Sequence, residues 1–381
     1  MKLAFVIQEI YPGAGQTQNI SEIIKYLSSV HEDWSFDVLA YRIVYPIVEG
    51  LRRKNVCVVR IDQYYSSIIL RKKLSSKLSE YDLVYIKGSF PYVFPASSSD
   101  KPFILVIHQR DSPSMFKSYG AKLKIAATNA ITGHLIKKPT ALVTVSEELS
   151  RYYSEKYRVN PIAIEDQISD SFFVSTAREF PSFSRQVKLI SVGAWDEGGH
   201  KRQDFLLRHF ASALDTYKNM KMTLVGLLPE NVPKLSLLSS QLGISENTMI
   251  RGYVPEPELL QLLLESDIYA TATTYEGFYR PVVEAFATGM PALVYDARSE
   301  VKNMSHCAAT NHILKSKAGL LYKDSSTFVE GIEKILQDYS VYSDRAKKYA
   351  QSFTSKNMGK KTDTLIESLI SSSTSRGNSF S

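Results

Sequence analysis

Glu276 and Glu284, with seven residues between them, are the carboxylates in this chain whose surroundings point most clearly to chemistry. They fall in Tyr275-Glu276-Gly277-Phe278-Tyr279-Arg280-Pro281-Val282-Val283-Glu284-Ala285-Phe286-Ala287-Thr288-Gly289-Met290-Pro291. Pro281 suits the first helical position, where its fixed φ fits and its missing N–H is no loss. Gly289 suits the left-handed residue that ends a helix, and Pro291 stops it continuing. Glu276 and Gly277 therefore belong to a strand-to-helix turn, and Glu284 points from the first turns of the helix. The N–H groups of residues 278 to 280 and the positive end of the helix dipole favour an anion in that turn. Gly277 lets a ligand approach the backbone closely. Two carboxylates are a poor choice beside a phosphate for charge alone, but they are good acceptors for hydroxyls. The ligand indicated carries sugar rings next to phosphates. The same spacing also fits an ordinary strand–turn–helix with a Glu placed for the dipole.

The elements that must position this turn follow from alternation along the chain. Short apolar runs at Leu3–Ile7, Phe36–Tyr41, Val56–Arg60, Leu83–Ile86, Phe103–Ile107 and Ala141–Val145 read as strands separated by helical or loop segments. A second series runs through Val187–Val192, Met222–Gly226, Met249–Val254, Ser266–Thr273, Ala292–Tyr295 and Ala318–Tyr322. Strands apolar on both faces and alternating with helices predict parallel, doubly wound sheets. In such sheets ligands bind at the carboxyl ends of the strands. Two further turns therefore draw notice. Tyr11 to Gln18 places Gly13 and Gly15 between the first strand and a helical pattern at Ile20, Ile23, Ile24 and Leu27. It is a weak dinucleotide fingerprint, because Gln18 fills the third glycine position. His108 follows Phe103–Ile107; a lone His of this kind more often satisfies a local hydrogen bond than does chemistry.

The segment EGFYRPVVEAFATGMPALV resembles the double-glutamate signature of the retaining GT-B glycosyltransferases of family 4. The resemblance is strongest from Val187 to about Tyr322. It implies an α/β GT-B fold: two Rossmann-like doubly wound parallel-sheet domains facing a cleft. It implies that Glu276 and the backbone after Gly277, through Phe278, Tyr279 and Arg280, hold the donor sugar and β-phosphate, and that Glu284 binds the ribose. Lys201 matches the lysine that neutralises the donor diphosphate, beside the turn at Gly193. The arginine usual just after that glycine is replaced by Ala194, for which Arg202 or Arg280 could compensate. Tyr279 and Arg280 stand where a small and an aliphatic residue are common. The Gly13 and Gly15 loop is expected near the diphosphate, His108 in the cleft, and Tyr253 near the nucleotide base, where it could stack. The catalytic set is thus Lys201, Glu276 and His108.

Length and composition set the frame. At 381 residues the chain has room for two domains. We expect an acceptor-binding domain over 1–175, a nucleotide-sugar domain over 187–355 after a linker at 174–186, a helix over 356–370 crossing back, and a disordered polar tail over 371–381. Cys57 and Cys307 form no metal spacing and no disulfide framework, which fits a cytoplasmic protein. The first strand lacks the marks of a signal peptide, and no apolar run is long enough to span a membrane. Net charge is +7, and between Arg52 and Lys138 sixteen Lys and Arg face five Asp and Glu. Such an excess, with the basic amphipathic pattern at Met115–Lys138, leans toward an anionic acceptor or peripheral contact with the inner membrane face, although a solvated basic face fits equally. No cofactor is expected beyond a UDP- or GDP-linked sugar as substrate. With no Asp-x-Asp pair, no metal is expected, and no nucleic-acid partner. Two other readings stay open: a catalytically weak nucleotide-sugar-binding protein and, with less support, an NAD-dependent oxidoreductase.

Overall fold

A computed structural model describes residues 1–10, 15–43, 51, 53–61, 68–88, 93–108, 133–175, 178, 185–195, 199–299 and 307–377. The chain forms two units, one made of 1–167 with 355–381 and the other of 168–354.

The first unit is built on a parallel sheet. Its strands are β1 (Lys2–Ile10), β2 (Ser35–Ile43), β3 (Val56–Arg60), β4 (Leu83–Lys87), β5 (Phe103–Ile107), β6 (Ala141–Thr144) and β7 (Ile162–Ala163), with α1 (Gly15–Val30), α2 (Ile68–Leu78), α3 (Val93–Ser97) and α4 (Glu147–Tyr157) among them. The spatial order is β3-β2-β1-β4-β5-β6-β7. All residues of β4, β5 and β6 are buried, as a sheet covered on both faces requires. β7 was not legible as a strand: it has two residues, and Ile162 is exposed.

The second unit repeats the plan. Its strands are β8 (Val187–Val192), β9 (Met220–Leu227), β10 (Thr248–Gly252), β11 (Ile268–Thr271), β12 (Ala292–Tyr295) and β13 (Gly319–Tyr322), in the order β10-β9-β8-β11-β12-β13, all parallel. Its helices are α5 (Gln203–Thr216), α6 (Val232–Gln241), α7 (Glu256–Glu265), α8 (Arg280–Ala287), α9 (Ala308–Ser316), α10 (Ser325–Gln337) and α11 (Tyr339–Ala350). Phe286, Tyr269, Tyr322 and Phe328 are fully buried aromatics of its core, each contributing about 2 kcal/mol by leaving water. Residues 168–175, grouped with the first half on sequence, pack here: Ile168 N–H donates to Phe353 C=O, and the Ser169 and Ser171 hydroxyls donate to Glu256.

The chain then returns to the first unit as α12 (Ser355–Gly377), which packs on α1. The helix extends to Gly377, so the polar tail expected from residue 371 is helical over its first seven residues; a serine-rich sequence of low intrinsic preference is carried on by the helix already begun. No helix among the described residues is long and apolar enough to cross a membrane.

Candidate functional site

Both sheets reverse their strand order beside their first strand, between β1 and β4 and between β8 and β11, and the crevice at such a reversal is where open α/β sheets hold ligands. In the second unit the crevice is formed by Gly193, just after β8, and by Thr273 to Glu276, just after β11. Gly193 has φ +152°, and a Cβ there would lie 3.5 Å from Lys201 Cδ. That is an ordinary contact, so it is the backbone angle, and not the space beside the lysine stem, that favours glycine here.

Lys201 Nζ donates to Glu276 Oε1 in direct contact. The same oxygen faces His200 Nε2 at 3.4 Å and accepts from Thr273 Oγ1 at 3.4 Å. Burial pulls Lys201 down and Glu276 up, but the pairing outweighs it, leaving the lysine raised and the carboxyl lowered. The site therefore holds a lysine and a carboxylate, both charged, at the strand ends.

α8 starts at Arg280, so Pro281 is its second residue, not its first as the sequence had it. No side chain caps this helix, whereas Ser146 caps α4 and Asp324 with Thr327 forms a capping box on α10. At the cap position stands Tyr279 with φ +62°, a conformation unfavourable for a bulky residue. Its buried hydroxyl sits 2.9 Å from both Tyr269 Oη and Thr271 Oγ1, and Lys201 Nζ lies 4.8 Å above its ring. The bulky Tyr279 is thus anchored in the strand ends under the turn.

Arg280 also turns inward. Its Nε is 3.3 Å from Glu284 Oε1, one helical turn on, and both residues are buried. Burial raises the Glu284 carboxyl, with Arg280 opposing. Phe278 is buried, its carbonyl accepting from His312 Nε2, and Gly277 is buried beside it. Arg202 places its guanidinium 4.0 Å from the Phe205 ring centre and 5.0 Å from that of Tyr295. Ala194 is exposed. Both arginines that could replace the missing cation are therefore engaged elsewhere. Tyr253, after β10, is half exposed.

Lys201, Glu276, Gly193, Gly277, Phe278, Tyr279, Arg280 and Glu284 are thus gathered at the β8 and β11 end of the second unit. His108 and Gly15 belong to the first unit, while Gly13 and residues 109–132, most of the basic segment, lie outside the described residues. His108 follows β5 and faces Asp166, with Nδ1 3.6 Å from Oδ2. Sequence reasoning missed His200 and Thr273, which complete the surroundings of Glu276. It also missed Lys87, a buried cation ending the otherwise apolar strand LVYIK, a break in pattern that could have marked it. His31, Asp363 and Glu367 bring three ligand-type atoms within 4.8 Å of one another, but His31 and Asp363 already bond at 2.7 Å, so the trio reads as a hydrogen-bonded pair beside an exposed carboxylate.

Residues 176–353 match the family described as Glycosyl transferases group 1. Over 85 residues, 22% of this chain, the sequence is 33% identical to the MMP alpha-(1->4)-mannosyltransferase of Mycolicibacterium hassiacum; the match spans only 20% of that relative. HepE of Anabaena, solved with UDP and glucose, superposes with TM-score 0.72 at 16% identity, over 97% of this chain and 100% of its own. A glycosyltransferase from Rickettsia africae gives 0.75 at 14% identity over 97% and 98%, and sucrose-phosphate synthase from Thermosynechococcus elongatus 0.74 at 14% over 98% and 100%. The chain therefore has the GT-B fold, and its residues 176–353 are similar to the glycosyl transferases group 1.

Proposed function

We propose that the protein transfers a sugar from a nucleoside diphosphate sugar, UDP- or GDP-linked, to an acceptor hydroxyl with retention at the anomeric carbon, in the manner of family 4. The observation that carries this reading is the Lys201–Glu276 pair beside the uncapped end of α8. As the sugar departs, the diphosphate gains charge. Lys201 and the N–H groups at the start of α8 would stabilise that charge as it develops. Glu276 would orient the sugar hydroxyls and Glu284 the ribose. In this reading the lysine and backbone dipoles do the work without a metal, and activity would survive chelation. The basic residues between Arg52 and Lys138 support a glycolipid or polysaccharide acceptor reached from the cytoplasm, with peripheral contact at an anionic membrane; vesicle binding that ignores charge reversal there would remove that part.

Ala194 favours a second reading. With Arg202 stacked on aromatic rings and Arg280 against Glu284, the diphosphate would meet fewer cations than in the family pattern, as in a weak catalyst or a binding protein. A thermal-shift titration of wild type and Glu284→Ala with UDP, GDP, ADP and NAD tests both. Stabilisation by one nucleoside diphosphate, lost in the variant, supports donor binding, and turnover of its sugar decides between transferase and binder. A shift with NAD alone would turn the reading to an oxidoreductase.

A further inference from the structure

The crevice between β1 and β4 holds a group of buried polar side chains that donor binding by the second unit does not use. Lys87, at the end of β4, is 1% exposed. Its Nζ is 3.1 Å from Asp166 Oδ1 and also donates to Asn19 Oδ1 of α1; Asp166 and Asn19 are buried too. The second Asp166 oxygen faces His108 Nδ1 at 3.6 Å, an electrostatic contact longer than a hydrogen bond. Gly88, which follows Lys87 with φ +67°, lies beside the ring: a Cβ there would be 3.5 Å from His108 Cδ2, an ordinary contact, and 2.7 Å from the end of the Gln16 side chain. On the far side of the imidazole, Nε2 is buried and has no hydrogen-bond partner among the described residues.

We propose that Lys87 and Asp166 are positioning residues for His108: together they hold its ring neutral, with the proton on Nδ1, so that Nε2 is presented as a hydrogen-bond acceptor. The carboxylate facing Nδ1 selects that tautomer. The ammonium on the other side of the same carboxylate offsets its charge, so Asp166 orients the ring without drawing a second proton onto it. Burial first, and then Lys87, pull the imidazole down to about 3, against Asp166. The other titratable group on this face of β4, Tyr85, is pushed above its ordinary range by burial and by Asp166, and so stays neutral. A buried acceptor left unmet is unfavourable, and a donating hydroxyl would satisfy it. For its ligand, a hydroxyl-bearing sugar or acceptor, the inference rests on the reading given above; the protonation state does not.

The test reads the ring directly in the full chain, so its outcome is separate from donor binding. With ¹⁵N-labelled histidine, long-range proton–nitrogen correlation distinguishes the two nitrogens, and His108 is assigned by the signal missing in His108→Gln. We expect a protonated Nδ1 and a bare Nε2, unchanged from pH 8 to pH 5. In Lys87→Met the imidazole loses one of the two influences that hold it down while burial remains, so His108 should take up its second proton at a higher pH than in wild type. In Asp166→Asn the preference for Nδ1–H should fall away. A wild-type ring that carries its proton on Nε2, or that titrates between pH 5 and 8, overturns the proposal. So does a Lys87→Met ring that takes up its second proton at the same pH as the wild-type ring, or lower. If Lys87→Met does not fold, Lys87→Gln takes its place, and the wild-type spectrum alone still decides the tautomer.

Discussion

The Lys201 ammonium and the Glu276 carboxylate touch across 75 residues of sequence, one from the segment that leads into α5 and one from the turn that follows β11. The pairing gives stability a pH dependence whose sign is set. Glu276 is held below its ordinary value of 4.5, so its contribution is present above about pH 4.5 and is lost as pH falls through the folded-state value. Lys201 is held above 10.5, so its share is lost only as pH rises past that point. Urea unfolding of wild type and Glu276→Gln should show a wild-type advantage at pH 7 that shrinks toward pH 3. An advantage that stayed constant with pH would mean the charge pair contributes nothing.

Tyr279→Phe should destabilise the protein by about 1–3 kcal/mol, because Tyr269 Oη and Thr271 Oγ1 are left buried around a missing hydroxyl. Tyr253→Phe, on an exposed ring, serves as the control and should change stability by less than about 0.5 kcal/mol. Calorimetry that ranks the two equally would refute the anchoring role.

Arg280→Leu should be harmful in a pH-dependent way. It leaves Glu284 buried without the cation that opposes its desolvation, raising its pKa further. A carboxyl raised in the folded state costs stability as pH climbs above its unfolded value. The Tm deficit against wild type should therefore be larger at pH 8 than at pH 5. The opposite ordering would show that Glu284 does not depend on this arginine.

Arg178 is a staple in the segment that precedes β8. Its guanidinium donates to the carbonyls of Leu263, Ser266 and Thr288 and to Thr288 Oγ1, tying the ends of α7 and α8. Arg178→Met should cost about 3 kcal/mol by removing charge-assisted bonds from carbonyls at two helix ends. Denaturant unfolding with an unchanged midpoint would reject this.

Much of the frame could be read from local pattern. Apolar runs located β4, β5 and β12 closely and β11 within a longer span, and Gly289 stops α8 with φ +77° as its position required. Side-chain direction could not be read this way. Tyr279 and Arg280 stand next to the site in sequence, yet both are spent on internal bonds, because the left-handed turn at Tyr279 swings its ring under the strand ends. Lys87 and Asp166 are 79 residues apart and become partners only once β4 and the stretch after β7 are set in one sheet. Long-range pairing of this kind leaves no periodic trace.

The return of α12 to α1 has a consequence for biosynthesis. Residues 168–354 form one uninterrupted unit, whereas the sheet that leaves the ribosome first lacks the helix packed on α1 until residues 355–377 follow. The half translated first is therefore finished last. Its buried lysine and aspartate must wait in an incomplete unit while the later half is already able to close.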